Sequence, residues 1–294
     1  MGMLQSHPFN TQVISVGNIQ VGGAGKTPLV AWIARESIQR GKRVCILCRG
    51  YQGEWENGGG ILYSKHSSQH VFVPASVCGD EAALLHELVP EAVIGVGADR
   101  VRNLKRILKN ASSSADERVD LVILDDGFQH HRIKKDLEIV ALTSQSRWKT
   151  FYRDWNSALK FADILIWTKG EVPPHFYSKP HLRVQYQLNA NPENTSYWLV
   201  TGVAQSQDVK NLAEKSGYKI LKHTSFPDHA RYSKEIVSEI VKKANQEKLK
   251  IILTGKDWVK WREYSLDKQN FCVLEPEIFF PDGIHFFEER IWKK

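Results

Sequence analysis

The chain has 294 residues, enough for one large α/β domain or two modest ones, each with its own core. Its 42% hydrophobic and 25% charged residues are ordinary for a soluble globular protein and exclude disorder of the whole chain. Forty basic residues against 33 acidic leave a formal charge of +7, which suits a nucleotide, a phosphorylated substrate, nucleic acid or acidic lipid without choosing among them. No run of eighteen or more apolar residues occurs, so no membrane-spanning helix is expected. The start, "MGMLQSHPFN", is too short and polar for a signal peptide. Cys45, Cys48, Cys78 and Cys272 make no disulfide framework in a chain this long. Cys45 and Cys48 have CxxC spacing, but no second pair completes a zinc site, and "RVCILCRG" reads as a buried strand. A reducing, cytosol-facing compartment is the expectation.

In chain order, "TQVISVGN" reads as a first strand, residues 27–40 as an amphipathic helix with Leu29, Val30, Ile33 and Ala34 inward, and "KRVCILC" as a second strand. "GEWENGGG" (53–60) predicts a loop and "HVFVPA" a short strand. "GDEAALLHEL" opens a helix with acids in its first turn, where the dipole favours them. "EAVIGVG" is a strand. "DRVRNLKRILKN" is a helix with Val101, Leu104 and Leu108 inward and a strongly basic outer face. "SSSADE" (112–117) predicts a surface loop, and "VDLVILDDG" a central strand buried on both faces by its unbroken apolar run. "DLEIVAL" and "ADILIWT" add two strands. The proline- and asparagine-rich stretch 170–195 separates these from a second α/β pattern: "YWLVTGV", "SQDVKNLAEKSG", "YKILKHTSF", "SKEIVSEIVKKANQ", "LKIILTG" and "FCVLE". The fold expected is α/β, a mostly parallel sheet flanked by helices over 1–187 and a smaller α/β domain over 188–294.

"SVGNIQVGGAGKTP" (15–28) is close to a phosphate-binding loop, except that Gln20 stands where G-x-x-x-x-G-K-[ST] begins with glycine. Such a loop aims successive backbone N–H groups and a helix N-terminus at phosphate oxygens. Gly22, Gly23, Ala24 and Gly25 would form it, Lys26 would reach the β/γ-phosphates, and the Thr27 hydroxyl would bind Mg²⁺. "LVILDD" is a second signal: a buried strand ending in Asp125 and Asp126, as in the acidic strand that holds Mg²⁺ or its water. The two together point to an ATP- or GTP-dependent enzyme.

"SVGNIQVGGAGKTPLV", "CRGYQG", "GDEAALL", "GADRV", "DDGFQHHRIKKDLEIV" and "FPDH" follow in order the pattern of tetraacyldisaccharide 4'-kinases. The resemblance runs over about residues 12–257, and that family carries the same non-glycine at the position of Gln20. It implies transfer of the γ-phosphate of ATP to the 4'-hydroxyl of an acylated glucosamine disaccharide 1-phosphate, the lipid A precursor. It implies Lys26 on phosphate, Thr27, Asp125 and Asp126 on the metal, Asp80 as general base helped by His229, and Glu81 close by as a metal or base-tuning group. The second domain would close over the substrate cleft. A peripheral place on the cytoplasmic side of the bacterial inner membrane, against an anionic surface, follows from the same resemblance. Family members carry a hydrophobic helix ahead of the phosphate loop, where this chain has about a dozen residues. Ala230 stands where a second histidine is often found, and Gly255 where glutamate is usual.

Read from the residues alone, Asp80 and Glu81 are equally helix N-terminal acids and His229 a loop histidine, and the basic helix 100–109 is either a surface for the lipid's phosphate or for an anionic membrane, or a solvated face. A P-loop GTPase or metallochaperone-type ATPase acting on a protein partner is the alternative, since "WTKGE" and "TGKD" are faintly similar to a TKxD base-reading motif. A nucleic-acid partner is not expected, because no stacking aromatic cluster or known motif accompanies the charge.

Overall fold

The computed structural model describes residues 6–20, 25–111, 118–143, 154, 156–172, 178–188, 191–264, 266 and 271–292. Two compact units divide the chain. The first comprises 1–73, 77–185 and 278–294, and the second comprises 74–76 and 186–277. The expected loop at 112–117 lies outside the described residues, as do Gly22, Gly23 and Ala24.

The first unit begins with β1 (Gln12–Gly17), α1 (Lys26–Gln39) and β2 (Val44–Cys48). The short α2 (Trp55–Gly58), β3 (Gly60–Leu62) and α3 (Ala75–Cys78) come next, then α4 (Asp80–Leu88), β4 (Val93–Val96), α5 (Arg100–Ala111), β5 (Leu121–Asp125), β6 (Leu137–Thr143), β7 (Ile164–Lys169) and β8 (His181–Arg183). Among the described residues these strands make one eight-stranded sheet in the order β3-β4-β2-β5-β1-β6-β7-β8. All neighbours run parallel except β3, which lies antiparallel to β4 at the edge. Burial on both faces requires the apolar runs seen in the sequence, and β5 and β6 are buried at every residue. Val101, Leu104 and Ile107 of α5 cover one side of the sheet with Val13, Leu47, Val122 and Leu124, while Leu108 packs only partly. Helix α1 buries Leu29, Val30, Ile33 and Ala34 and packs on β1, β2, β5 and α4.

Four expectations are corrected. "HVFVPA" forms no strand: residues 70–74 are irregular, with Val71 and Phe72 largely exposed. The edge of β4 is taken instead by β3, from the end of the stretch read as a loop. Within the same stretch, Trp55–Gly58 makes a helical turn. Finally, residues 278–294 belong with the first unit, whereas the pattern put all of 188–294 in the second. The reason is aromatic. Trp32 on α1 lies 4.9 Å from Phe280, 5.9 Å from Phe287 and 5.9 Å from Trp292 between ring centroids. Trp292 Nε1 donates to Ser37 Oγ at 2.9 Å, and the Arg40 guanidinium sits 3.9 Å over the Trp292 ring.

The second unit carries β9 (Gln185–Leu188), β10 (Ser196–Thr201), α6 (Ser206–Lys215), β11 (Lys219–Ser225), α7 (Lys234–Glu247), β12 (Lys250–Thr254), α8 (Gly255–Trp261) and β13 (Phe271–Leu274). After these come β14 (Pro276–Phe279), which pairs with β9, and α9 (His285–Trp292), which carries the aromatic residues on α1. The sheet of the second unit is parallel in the order β11-β10-β12-β13. Trp198, Val200 and Leu253 pack on one of its faces with Trp258 and Trp261, and Tyr197, Leu199 and Ile252 on the other with Ala213.

Candidate active site

Register places the end of β1 beside the end of β5: Val16 pairs with Asp125, and Gly17 with Val140 on β6. Everything that follows these ends therefore gathers at the carboxyl edge of the sheet, where ligands of open α/β folds bind. Helix α1 begins there. Gly25 caps it at φ 67°, a left-handed conformation suited to glycine, and Lys26 and Thr27 form its first turn. Gln20 is 3% exposed, and its side chain explains why glycine is not needed. Its Nε2 donates to Thr143 O at 3.0 Å, and its Oε1 accepts from Thr143 N at 2.9 Å. The carboxamide thus closes the end of β6 as another strand would.

Lys26 Nζ lies 3.3 Å from Asp126 Oδ1. Asp126 adopts φ 52°, a left-handed conformation that aspartate tolerates better than most side chains. Three contacts hold the turn in place. Arg100 Nη1 donates to Asp126 O at 3.0 Å, Gly127 N to Val16 O at 3.1 Å, and Gln129 Nε2 to Asn18 O at 3.0 Å. Lys135 adds a clamp, donating to Gly127 O at 2.7 Å and Phe128 O at 3.0 Å and pairing with the buried Glu138 carboxylate. His130 follows in the same turn. Burial first, then Arg100, Lys135 and Arg132, pull its imidazole down to about 4, so it stands neutral.

Asp125 is buried, and its Oδ1 has no hydrogen-bond partner among the described residues. Burial and the negative charges of Glu81 and Asp126 push its carboxyl up to about 7 against the pull of Lys26 and Arg100. Five charged side chains thus act on one another at this edge. Asp80 and Glu81 open α4 behind Gly79, which adopts φ 87°, and Asp80 is buried at the positive end of the helix. A Cβ at Gly79 would stand 2.9 Å from the Gly50 backbone. That close approach seats the turn after β2, with Arg49 and Tyr51, against the start of α4.

His229 belongs to the second unit. It adopts φ 58°, its Nε2 lies 3.3 Å from Lys256 Nζ, and Lys256 also pairs with Asp228 at 3.0 Å. The loop is anchored through Tyr232, whose hydroxyl donates to the fully buried Asp257 at 2.7 Å. Asp257 also accepts from Gly202 N and from Thr254 Oγ1, which caps α8. "TGKD" is therefore a helix cap whose acid is already satisfied by protein donors, which removes it as a base-reading motif. Cys45 and Cys48 are free and buried in β2.

The structure brings Lys26, Thr27, Asp80, Glu81, Asp125 and Asp126 to one edge of the first sheet, while His229 belongs to the second unit. The sequence reading gave no role to Arg100, Lys135 or Lys256. Arg100 carried a legible signal, since an arginine opening a helix directly after the strand "EAVIGVG" must sit at the ligand edge. A magnesium ion fits the donors present. Asp125 Oδ1 is buried with no hydrogen-bond partner among the described residues, Asp126 follows it and Thr27 lies in the first turn of α1, and Mg²⁺ takes few protein ligands, completing its shell with water and phosphate. Among the described residues no cluster of three His, Cys, Asp or Glu forms a dedicated metal cage.

A mostly parallel sheet with a glycine-capped helix, a following lysine and threonine, and an adjacent acidic strand end defines a P-loop nucleotide-binding enzyme. The chain belongs to the tetraacyldisaccharide-1-phosphate 4'-kinase family, whose model (LpxK: Tetraacyldisaccharide-1-P 4'-kinase) matches residues 1–293. The chain is 32% identical to the tetraacyldisaccharide 4'-kinase of Geobacter metallireducens, over 88% of this chain and 81% of that one. It is 27% identical to that of Haemophilus influenzae, over 95% and 82%. A solved LpxK from Aquifex aeolicus, in complex with ATP, matches with a TM-score of 0.78 and 26% identity, over 99% of this chain and 90% of that one.

Proposed function

We propose that the protein transfers the γ-phosphate of ATP to the 4'-hydroxyl of an acylated glucosamine disaccharide 1-phosphate, a step of lipid A biosynthesis. The observation that carries the reading is the charged cluster at the carboxyl edge, in a chain of this family: Lys26 against Asp126, with Glu81 acting on a buried Asp125 whose Oδ1 has no hydrogen-bond partner among the described residues. Lys26 draws charge from the β/γ-phosphates, and the backbone of Gly22, Gly23, Ala24 and Gly25 cradles them. Thr27, Asp125 and Asp126 would hold Mg²⁺, with Glu81 at its margin. The bound ion neutralises charge on the phosphates during transfer. Asp80, in the first turn of α4, takes the proton of the attacking sugar hydroxyl, as a positioned carboxylate does in general base catalysis. His229 is assigned to assist that base, on the resemblance and on its fixed place in the 226–232 loop. Arg100 holds the Asp126 carbonyl, so it keeps the metal-binding turn in position.

The acceptor carries acyl chains, so the protein works at the cytoplasmic face of the inner membrane as a peripheral protein. Among the described residues no helix is long and apolar enough to cross a membrane. The test compares ATP and GTP consumption with and without detergent-dispersed tetraacyldisaccharide 1-phosphate. Lipid-dependent, ATP-specific turnover is expected. Lipid-independent GTP hydrolysis would replace the reading with that of a GTPase acting on a protein partner.

A further inference from the structure

One face of the first unit is basic without neutralisation. Helix α5 presents Arg102, Lys105, Arg106 and Lys109 at spacings i, i+3, i+4 and i+7, all exposed, opposite a buried stripe of Val101, Leu104 and Ile107. They line a groove of about 370 Å³ with Arg132 and His7. Asp99 is its one acid, and it lies 3.4 Å from Arg132 and accepts from Arg102 N. Elsewhere helical cations meet acids one turn away: Arg40 meets Glu36, Lys210 meets Glu214, and Lys243 meets Glu239. Helix α5 contains no acid, and among the described residues its four exposed cations form no ion pair. Four like charges on two turns repel one another, so the face gains most from a dense array of anions.

We propose that this face of α5, with Arg132 beside it, is the surface by which the protein docks on an anionic phospholipid bilayer. The occupant follows from charge complementarity to headgroup phosphates and from the acylated substrate of the proposed function, on which this choice rests. A single nucleic-acid strand fits less well, since no Phe, Tyr or Trp is among the described residues that line the groove. The consequence is mechanical. Arg100, the first residue of α5, holds the Asp126 carbonyl, so the docked helix would fix the active edge relative to the lipid surface.

The test is co-sedimentation with vesicles of phosphatidylcholine and with vesicles containing phosphatidylglycerol. It uses the wild type, an Arg102→Gln/Lys105→Gln/Arg106→Gln/Lys109→Gln variant, and a Lys215→Gln/Lys219→Gln/Lys234→Gln/Lys242→Gln control of equal net charge. Each basic residue at an anionic surface is worth roughly fivefold in binding, so the α5 variant should lose about a hundredfold or more on phosphatidylglycerol vesicles. The control should lose little, and both should transfer phosphate normally to detergent-dispersed lipid. The proposal is overturned if the wild type shows no preference for phosphatidylglycerol, if the two variants lose binding alike, or if an oligonucleotide displaces the vesicles. Absence of transfer by the wild type in detergent would instead overturn the kinase reading and leave the vesicle result standing by itself.

Discussion

At Asp125, burial and the neighbouring acids outweigh the positive charge of Lys26 and Arg100, and replacing it by asparagine should therefore stabilise the protein while disabling it. In the folded protein its carboxyl is pushed from 3.8 up to about 7, chiefly by burial and then by Glu81. A raised folded value means that the folded state holds the proton more tightly. The associated stability is complete below pH ~4, declines as pH rises through about 7, and is absent above it. The displacement is roughly three units, or about 4 kcal/mol of ionisation penalty at pH 8. Relaxation and water entry reduce this, and a gain of about 2 kcal/mol for Asp125→Asn is the working figure. That corresponds to several degrees in the melting temperature for a chain of this size. Differential scanning fluorimetry in EDTA across pH 5 to 8 would read it, since the effect builds from pH ~4 and levels off above about 7. The gap between variant and wild type should widen with pH. Added Mg²⁺ and ATP should raise the wild-type melting temperature and leave the variant unmoved, because binding stabilises only the state that binds. A variant less stable than the wild type at every pH would show that the Asp125 carboxylate has a structural partner, and would refute its assignment as a metal ligand.

Other outcomes follow from the same geometry. Asp80→Ala should lower kcat by on the order of a hundredfold or more while leaving ATP affinity within about twofold, as read by isothermal titration and steady-state kinetics; parallel loss of both would make Asp80 part of the nucleotide site. Lys135→Met strands the Glu138 carboxylate and frees two carbonyls of the 125–130 turn. A loss of about 3 to 5 kcal/mol is expected in urea unfolding, and a loss below about 1 kcal/mol would mean that the clamp is dispensable. Gln20→Leu removes both bonds to the Thr143 backbone and should cost about 2 kcal/mol, with weaker ATP binding as the loop loses its support. Gln20→Gly, which restores the usual loop pattern, should behave like Gln20→Leu; wild-type stability in it would contradict the reading of the Gln20 carboxamide.

The alternation of strand and helix in the first unit was legible because a parallel sheet covered on both faces leaves unbroken apolar runs, as in β5 and β6. The edges were not. "HVFVPA" has strand composition, yet residues 70–74 form no strand, while "GIL", only three residues long, does. Such short elements are chosen by their neighbours and not by their own propensity. The tail 278–294 was misplaced for a similar reason: its attachment depends on Trp32 meeting Phe280, Phe287 and Trp292, and no local pattern encodes a contact that distant. In the site, residue types and spacing pointed to the glycine-capped helix and the acidic strand end. The side chains that hold them, Gln20, Arg100 and Lys135, act through backbone carbonyls and amides, which the sequence does not display.

Transfer of label from γ-phosphate-labelled ATP to detergent-dispersed tetraacyldisaccharide 1-phosphate, with the position of the new phosphate read by NMR, tests the central claim most directly. The account predicts lipid-dependent labelling at the 4'-oxygen, lost in Lys26→Ala. ATP consumed with no label on the lipid, or label undiminished in Lys26→Ala, would contradict it.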